Sequence, residues 1–209
     1  MIKKLVIFDC DGTLVDSEHL CNLGLSQQLS EVGVNMSAQT LVERYRGVEF
    51  NVILAELQNE LGFIAPSDFE QQYRAKVSQL FDAHLKPIEG VEDVVAALSL
   101  TKCVASSAPR HKIEHSLTAT GLRRYFDDNI FSCYEIGAWK PKPDIFLHAA
   151  KQMGFAPEEC YVVEDSLVGI QAATAAGMTC FYYCPEGAMA SQFGEIPFSS
   201  MTQLPTLIA

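Results

Sequence analysis

The chain has 209 residues, enough for one sizeable core or a core with a small satellite. With 48% hydrophobic and 20% charged residues it is not a disordered chain. A net charge of −11 excludes nucleic acid as a main partner, because a phosphate backbone needs a basic surface. A phosphorylated ligand must therefore find its cations locally.

The basic start, Met1 to Lys4, is followed by an apolar run that ends at once in Asp9, so no secretory leader is expected. No apolar stretch nears the ~18 residues of a membrane span. The expectation is a cytoplasmic protein with no membrane partner, its oligomeric state open and a monomer compatible. Seven cysteines without close pairs read as small buried residues in a reducing compartment.

In chain order, residues 5–8 read as a buried parallel strand. Residues 17–83 carry helical patterning only, with apolar positions Leu20, Leu23, Leu25 and Leu29, then Val52, Ile53, Leu57 and Leu61. This predicts a helical cap domain at 17–83, inserted into a core of 1–16 and 84–209, with Pro87 and Gly90 marking the return. Runs at 103–105, 129–131, 161–163 and 178–183 predict further strands. Helical patterns at 110–120, 144–153 and 166–176 each run into a glycine suited to a left-handed cap: Gly121, Gly154 and Gly177. Such alternation predicts an α/β fold, a Rossmann-like parallel sheet with the helical cap inserted after the first strand.

Four clusters fall at predicted strand ends, the edge where open α/β sheets bind ligands. The first is Asp9-Cys10-Asp11-Gly12-Thr13-Leu14. Carboxylates two positions apart on extended chain project to one side, where they repel unless a cation intervenes or one keeps a proton. Either state suits one acid as nucleophile and the other as proton donor and acceptor. Gly12 allows a sharp turn close to a phosphate, and Thr13 offers a hydroxyl and an N–H. A plain turn or calcium-loop fragment is the alternative, but Leu14 and Val15 interrupt an EF-hand pattern.

Ser106 and Ser107 end a strand before a helix, a place that suits a phosphate grip or a simple N-cap. Lys140 lies on a loop stiffened by Pro141 and Pro143, where its charge can neutralise a phosphoryl group. Lys142 reads as a solvated charge, and Trp139 as a packed anchor. Glu164 and Asp165 end a buried strand and offer hard oxygens for Mg²⁺, while Asp165 or Ser166 also suits a helix cap. His19, His84, His111, His115 and His148 are too scattered for a metal site.

In this order and spacing the motifs resemble those of the haloacid dehalogenase-like hydrolases over essentially the whole chain. The resemblance implies Asp9 as nucleophile and Asp11 as general acid and base. It implies Mg²⁺ held by the Asp9 carboxylate, the Asp11 carbonyl and Asp165, with Glu164 helping through water. Ser106 and Lys140 would bind phosphoryl oxygens, and Lys140 would steady Asp9. Dehalogenases of the family usually lack an acid at the place of Asp11. Its sugar-phosphate mutases usually carry Val and His where this chain has Thr13 and Cys21. The stretches at 112–117, 131–136, 139–141 and 148–150 resemble those of bacterial phosphatases acting on 6-phosphogluconate. The implied activity is Mg²⁺-dependent hydrolysis of small phosphorylated metabolites, sugar phosphates or phosphosugar acids. A β-phosphoglucomutase-like mutase and a non-enzymatic phosphosugar-binding protein are the alternatives. Arg44 and Arg46 in the cap are candidates for a substrate carboxylate, although two arginines at a helix end more often form a solvated face.

Overall fold

Four consecutive apolar residues, Leu5–Phe8 (β1), are wholly buried, as a continuous apolar run specifies for a strand covered on both faces. In the computed structural model, which describes residues 4–45, 48–187 and 191–208, this strand lies inside a sheet of six parallel strands. The chain divides into two compact units, Asp16–Lys86 and the combination of Met1–Val15 with Pro87–Ala209.

The described part of Asp16–Lys86 contains four helices: α1 (Glu18–Glu31), α2 (Ala38–Tyr45), α3 (Phe50–Leu61) and α4 (Phe69–His84). Leu25, Leu29, Leu41, Tyr45, Ile53, Leu57 and Phe69 form its core. The sequence pattern overstates the apolar faces. Leu20 and Leu23 are half-buried, while α1 turns Asn22, Gly24 and Gln28 inward. Gln28 Nε2 is satisfied by donating to Gln72 Oε1 at 3.0 Å. A Cβ on Gly24 would come within 2.8 Å of Val77 Cγ2, so this glycine sets how closely α1 meets α4. In α3, Ile53 and Leu57 are spaced one turn apart and face the core, whereas Val52 and Leu61 are exposed.

The other unit continues with α5 (Val91–Ala97), β2 (Thr101–Ser106), α6 (Arg110–Ala119), β3 (Ile130–Ser132), α7 (Cys133–Ile136) and α8 (Asp144–Met153). Then follow β4 (Cys160–Glu164), α9 (Leu167–Ala175), β5 (Thr179–Tyr183), β6 (Ile196–Phe198) and α10 (Leu204–Leu207). The strand order is β3-β2-β1-β4-β5-β6. β6 lies outside the expected strands. It has three residues with Pro197 at its centre, and a proline that cannot donate to a ladder is tolerated on the sheet edge, where β6 sits.

Helix packing follows from the apolar spacing. α8 buries Ile145, Phe146, Ala149 and Ala150, and stops at Gly154 with φ +77°. α9 buries Ile170 together with Gly169, Ala172 and Ala173, three small residues that admit a close approach. Ile145, Phe146, Ala149, Ala150, Ile170, Ala172 and Ala173 join Leu5, Ile7, Ala105 and Val162 in one core, where each large apolar side chain contributes roughly 1.5–3 kcal/mol on burial. The strand order reverses direction between β1 and β4, and crevices outside strand ends at such a reversal are where ligands bind.

Candidate active site

β1 and β4 deliver their last residues to the same edge. Phe8 is in register with Val163, and the Asp9 N–H donates to Val163 O at 3.0 Å. Beyond Asp9 the chain folds back on itself: Leu14 and Val15 N–H both donate to Cys10 O, and Gly12 N–H to Val15 O at 2.9 Å. Gly12 adopts φ +81°, and a Cβ there would lie 2.2 Å from Asp165 Oδ2. Only glycine allows both the turn and the approach of Asp165 to it. The sequence offered the Thr13 hydroxyl to phosphate. In the structure Thr13 is fully buried and its Oγ1 donates to Asp165 Oδ1 at 3.2 Å, orienting that carboxylate. Ser166, and not Asp165, caps α9, its Oγ accepting from Gly169 N at 3.1 Å.

Lys140 enters from the loop between α7 and α8. Its Nζ donates to Asp9 Oδ1 and to Glu164 Oε1, each at 2.5 Å. The three side chains are nearly sealed from water, at 3% exposure for Lys140, 9% for Asp9 and 1% for Glu164. Burial alone would lower the Lys140 pKa, but the charges of Asp9 and Glu164 raise it above the ordinary value. Burial pushes the Asp9 carboxyl up to about 7, against the pull of Lys140 and with Glu164 and Asp11 adding to the rise. The two shifts pull in opposite senses on one ion pair. Two carboxylates bracket one lysine, so the ammonium keeps its proton and the uncompensated negative charge burdens Asp9.

Glu164, grouped by sequence with the metal ligands, has other work for both its oxygens. Oε1 accepts from Lys140, while Oε2 accepts from Asp165 N, Ser166 N and Ser166 Oγ at 2.8–2.9 Å. It anchors Lys140 to the start of α9, where helix N–H groups favour an anion. Gly169 makes room for it, since a Cβ there would fall 1.9 Å from Glu164 Cδ.

Asp11 is met by a lysine that the sequence reading did not assign to the site. Lys112 Nζ, on α6, donates to Asp11 Oδ1 at 3.0 Å and Oδ2 at 2.9 Å. A lysine on an amphipathic helix reads as a solvated charge; the available signal was its place in the first turns of the helix that follows Ser106. Ser106 is buried and its Oγ accepts from Ala108 N at 3.2 Å, leaving the O–H as donor. Ser107 is half-buried, with Cys133 Sγ 3.9 Å from its Oγ. Trp139 packs edge-on against Tyr134, and Lys142 is exposed. Cys10 is buried, and burial chiefly raises its thiol pKa. Arg44 pairs across to Glu60 on the exposed face of its own unit, as a solvated ion pair does, so its guanidinium is already engaged. Arg46 lies outside the described residues.

Two buried carboxylates, Asp9 and Glu164, meet at buried Lys140, and buried Asp165 lies against the Gly12 turn. The remaining negative charge and the Gly12 cradle against Asp165 fit a hard divalent cation. Among the described residues no three His, Cys, Asp or Glu side chains form a metal-ligand group. Mg²⁺ does not require one, since one or two carboxylates with carbonyl and water oxygens suffice.

The family model for haloacid dehalogenase-like hydrolases matches residues 3–177. The chain is 38% identical over 207 residues to the 6-phosphogluconate phosphatase of Escherichia coli, covering 98% of this chain and 94% of that protein. It is 29% identical to hexitol phosphatase B of the same organism, covering 95% and 92%. Among solved structures, a haloacid dehalogenase-like protein of unknown function from Agrobacterium tumefaciens superposes with a TM-score of 0.82 at 33% identity, covering 99% of this chain and 97% of the other.

Proposed function

The chain belongs to the haloacid dehalogenase-like hydrolases, and from that membership we propose that it is a Mg²⁺-dependent phosphatase of small phosphorylated sugars and sugar acids, with 6-phosphogluconate the foremost substrate. The observation that carries the reading is the pairing of each motif aspartate with its own lysine, Asp9 with Lys140 and Asp11 with Lys112. The pairing gives the two acids different surroundings, and different surroundings suit different tasks. The relatives named as sugar-phosphate phosphatases support the substrate class.

Asp9 is the nucleophile. Lys140 holds its Oδ1, which leaves Oδ2 to attack phosphorus. The new Oδ2–P bond forms as the bond from phosphorus to the sugar oxygen breaks. The departing oxygen takes its proton from Asp11. Water then attacks the aspartyl phosphate, gives a proton to Asp11, and the Asp9 carboxylate is restored as inorganic phosphate leaves. The Ser106 O–H and the Lys140 ammonium bind phosphoryl oxygens, with the Gly12 turn and Ser107 beside them. The Asp9 carboxylate, the Asp11 carbonyl and Asp165 would hold Mg²⁺, oriented by Thr13, with Glu164 acting through Lys140. When bound, the metal offsets charge on the nucleophile and on the transferring phosphoryl group.

The helical unit Asp16–Lys86 serves as the cap that reads the rest of the substrate. Seven free cysteines suit work in a reducing cytoplasm. The test is phosphate release from sugar phosphates, phosphosugar acids and nucleotides, with and without Mg²⁺. Mg²⁺-dependent release led by 6-phosphogluconate is expected. Release led by another sugar phosphate would discard the substrate alone, and isomerised sugar phosphate without free phosphate would make the protein a mutase.

A further inference from the structure

We propose that Lys112 is a positioning residue for the proton-transfer step: it fixes the Asp11 carboxylate toward the oxygen that leaves phosphorus. The inference rests on the phosphatase reading above. A side chain on a turn outside the strand, 30% exposed like that of Asp11, has several rotamers open to it. A proton donor that wanders by an ångström loses much of its effect. Lys112 grips both carboxylate oxygens, at 2.9 and 3.0 Å, and so selects one orientation.

The platform that carries Lys112 is itself rigid. Ser106 Oγ accepts from Ala108 N, and Ser132 Oγ donates to Ala108 O at 2.6 Å, fixing the loop between β2 and α6 to β3 on its far side. Arg110 fastens the first turn of α6, donating to Ile130 O at 2.8 Å and to Glu114 at 3.0 Å. The Lys112 N–H donates to Pro109 O at 2.9 Å. Lys112 therefore spans 101 residues of sequence from a fixed base to Asp11, and at 20% exposure it stays open to solvent on the ligand side. This differs from the part played by Lys140, which holds the nucleophile and the phosphoryl group.

The two tasks separate by leaving group. An alkoxide from a sugar needs the Asp11 proton as its bond to phosphorus breaks. A nitrophenolate departs as the anion without one. The ratio kcat/KM reports the steps through that bond cleavage, before hydrolysis of the aspartyl phosphate. The experiment compares wild type, Lys112→Met and Lys112→Arg with Mg²⁺, on a sugar phosphate and on p-nitrophenyl phosphate, with melting curves for each protein. For Lys112→Met, kcat/KM on the sugar phosphate is expected to fall roughly 10–100-fold, as for partial loss of general acid catalysis. On p-nitrophenyl phosphate it changes by less than about 3-fold, and Lys112→Arg, which keeps a cation for a carboxylate, recovers most of the loss.

An equal loss on both substrates would overturn the proposal and make Lys112 a phosphate or folding residue. A loss seen only as a raised KM for acidic sugars would also overturn it, making Lys112 a substrate contact. A wild-type protein that releases phosphate from neither compound would bring down the phosphatase reading, and this inference with it.

Discussion

Asp9 carries a charge that its surroundings only partly offset, and the consequence is measurable without substrate. Its folded pKa of about 7 lies above the ordinary 3.8 because burial outweighs Lys140. Between these values the folded protein binds the extra proton. The favourable contribution is thus complete below about pH 4 and lost as pH rises to about 7. Asp9→Asn removes that loss. In metal-free buffer its melting temperature should gain on wild type as pH rises from about 5 to about 7.5, while phosphate release falls at least ~10³-fold. A melting difference independent of pH would contradict the assigned cause. The sequence made Asp9, Asp11 and Asp165 legible because they follow the ends of buried strands beside a turn or helix signal, and Lys140 because two prolines mark its loop. The sequence did not reveal where the oxygens of Glu164 and Thr13 are committed inside the site, to Lys140, to backbone and to Asp165. Spacing alone does not reveal which way an oxygen points.

At the scale of elements, the start of α9 is where packing and chemistry meet. Gly169 stands against Glu164, and a Cβ there would come 2.0 Å from Oε1, the oxygen that Lys140 uses. Gly169→Ala forces Glu164 aside. Overpacking of this kind costs about 1–3 kcal/mol, or roughly 2–12 °C in melting temperature. Activity should fall further than the folded fraction does, by about 10-fold or more, because Lys140 loses its anchor. Full activity in the folded protein would show that the anchor is dispensable. Most elements were legible: continuous apolar runs gave β1 and β4, and 3.6-residue spacing with a terminal glycine gave α8. β6 was not, because three residues centred on Pro197 carry no strand pattern. Neither was the interior of α1, where Gln28 is buried with its Nε2 donating to Gln72. Lys112 was hidden by the same ambiguity, since its partner lies on a distant loop.

For the whole molecule, the chain passes between its two units at two adjacent points. Val15 bridges Pro87, the Asp16 N–H donates to Lys86 O at 2.9 Å, and the Ile88 N–H donates to Leu14 O at 3.0 Å. The first crossing begins four residues beyond Asp11. The net charge of −11 opposes the arrival of any phosphorylated substrate. Raising ionic strength from ~0.01 to ~0.15 M shortens the screening length from ~30 to ~8 Å. KM for a phosphosugar acid should then fall about 2-fold, and more than for a singly charged aryl phosphate. A KM that rises with salt would mean that local cations dominate the approach as well as the binding.

The covalent role of Asp9 is tested most directly by quenching the enzyme during turnover with Mg²⁺ and 6-phosphogluconate, reducing with borohydride, and mapping the peptides by mass spectrometry. An acyl phosphate on Asp9 is reduced to homoserine, so the expected result is homoserine at position 9, absent without substrate and absent in Asp9→Asn. Homoserine at another acid, or steady phosphate release with Asp9 recovered intact, would contradict it.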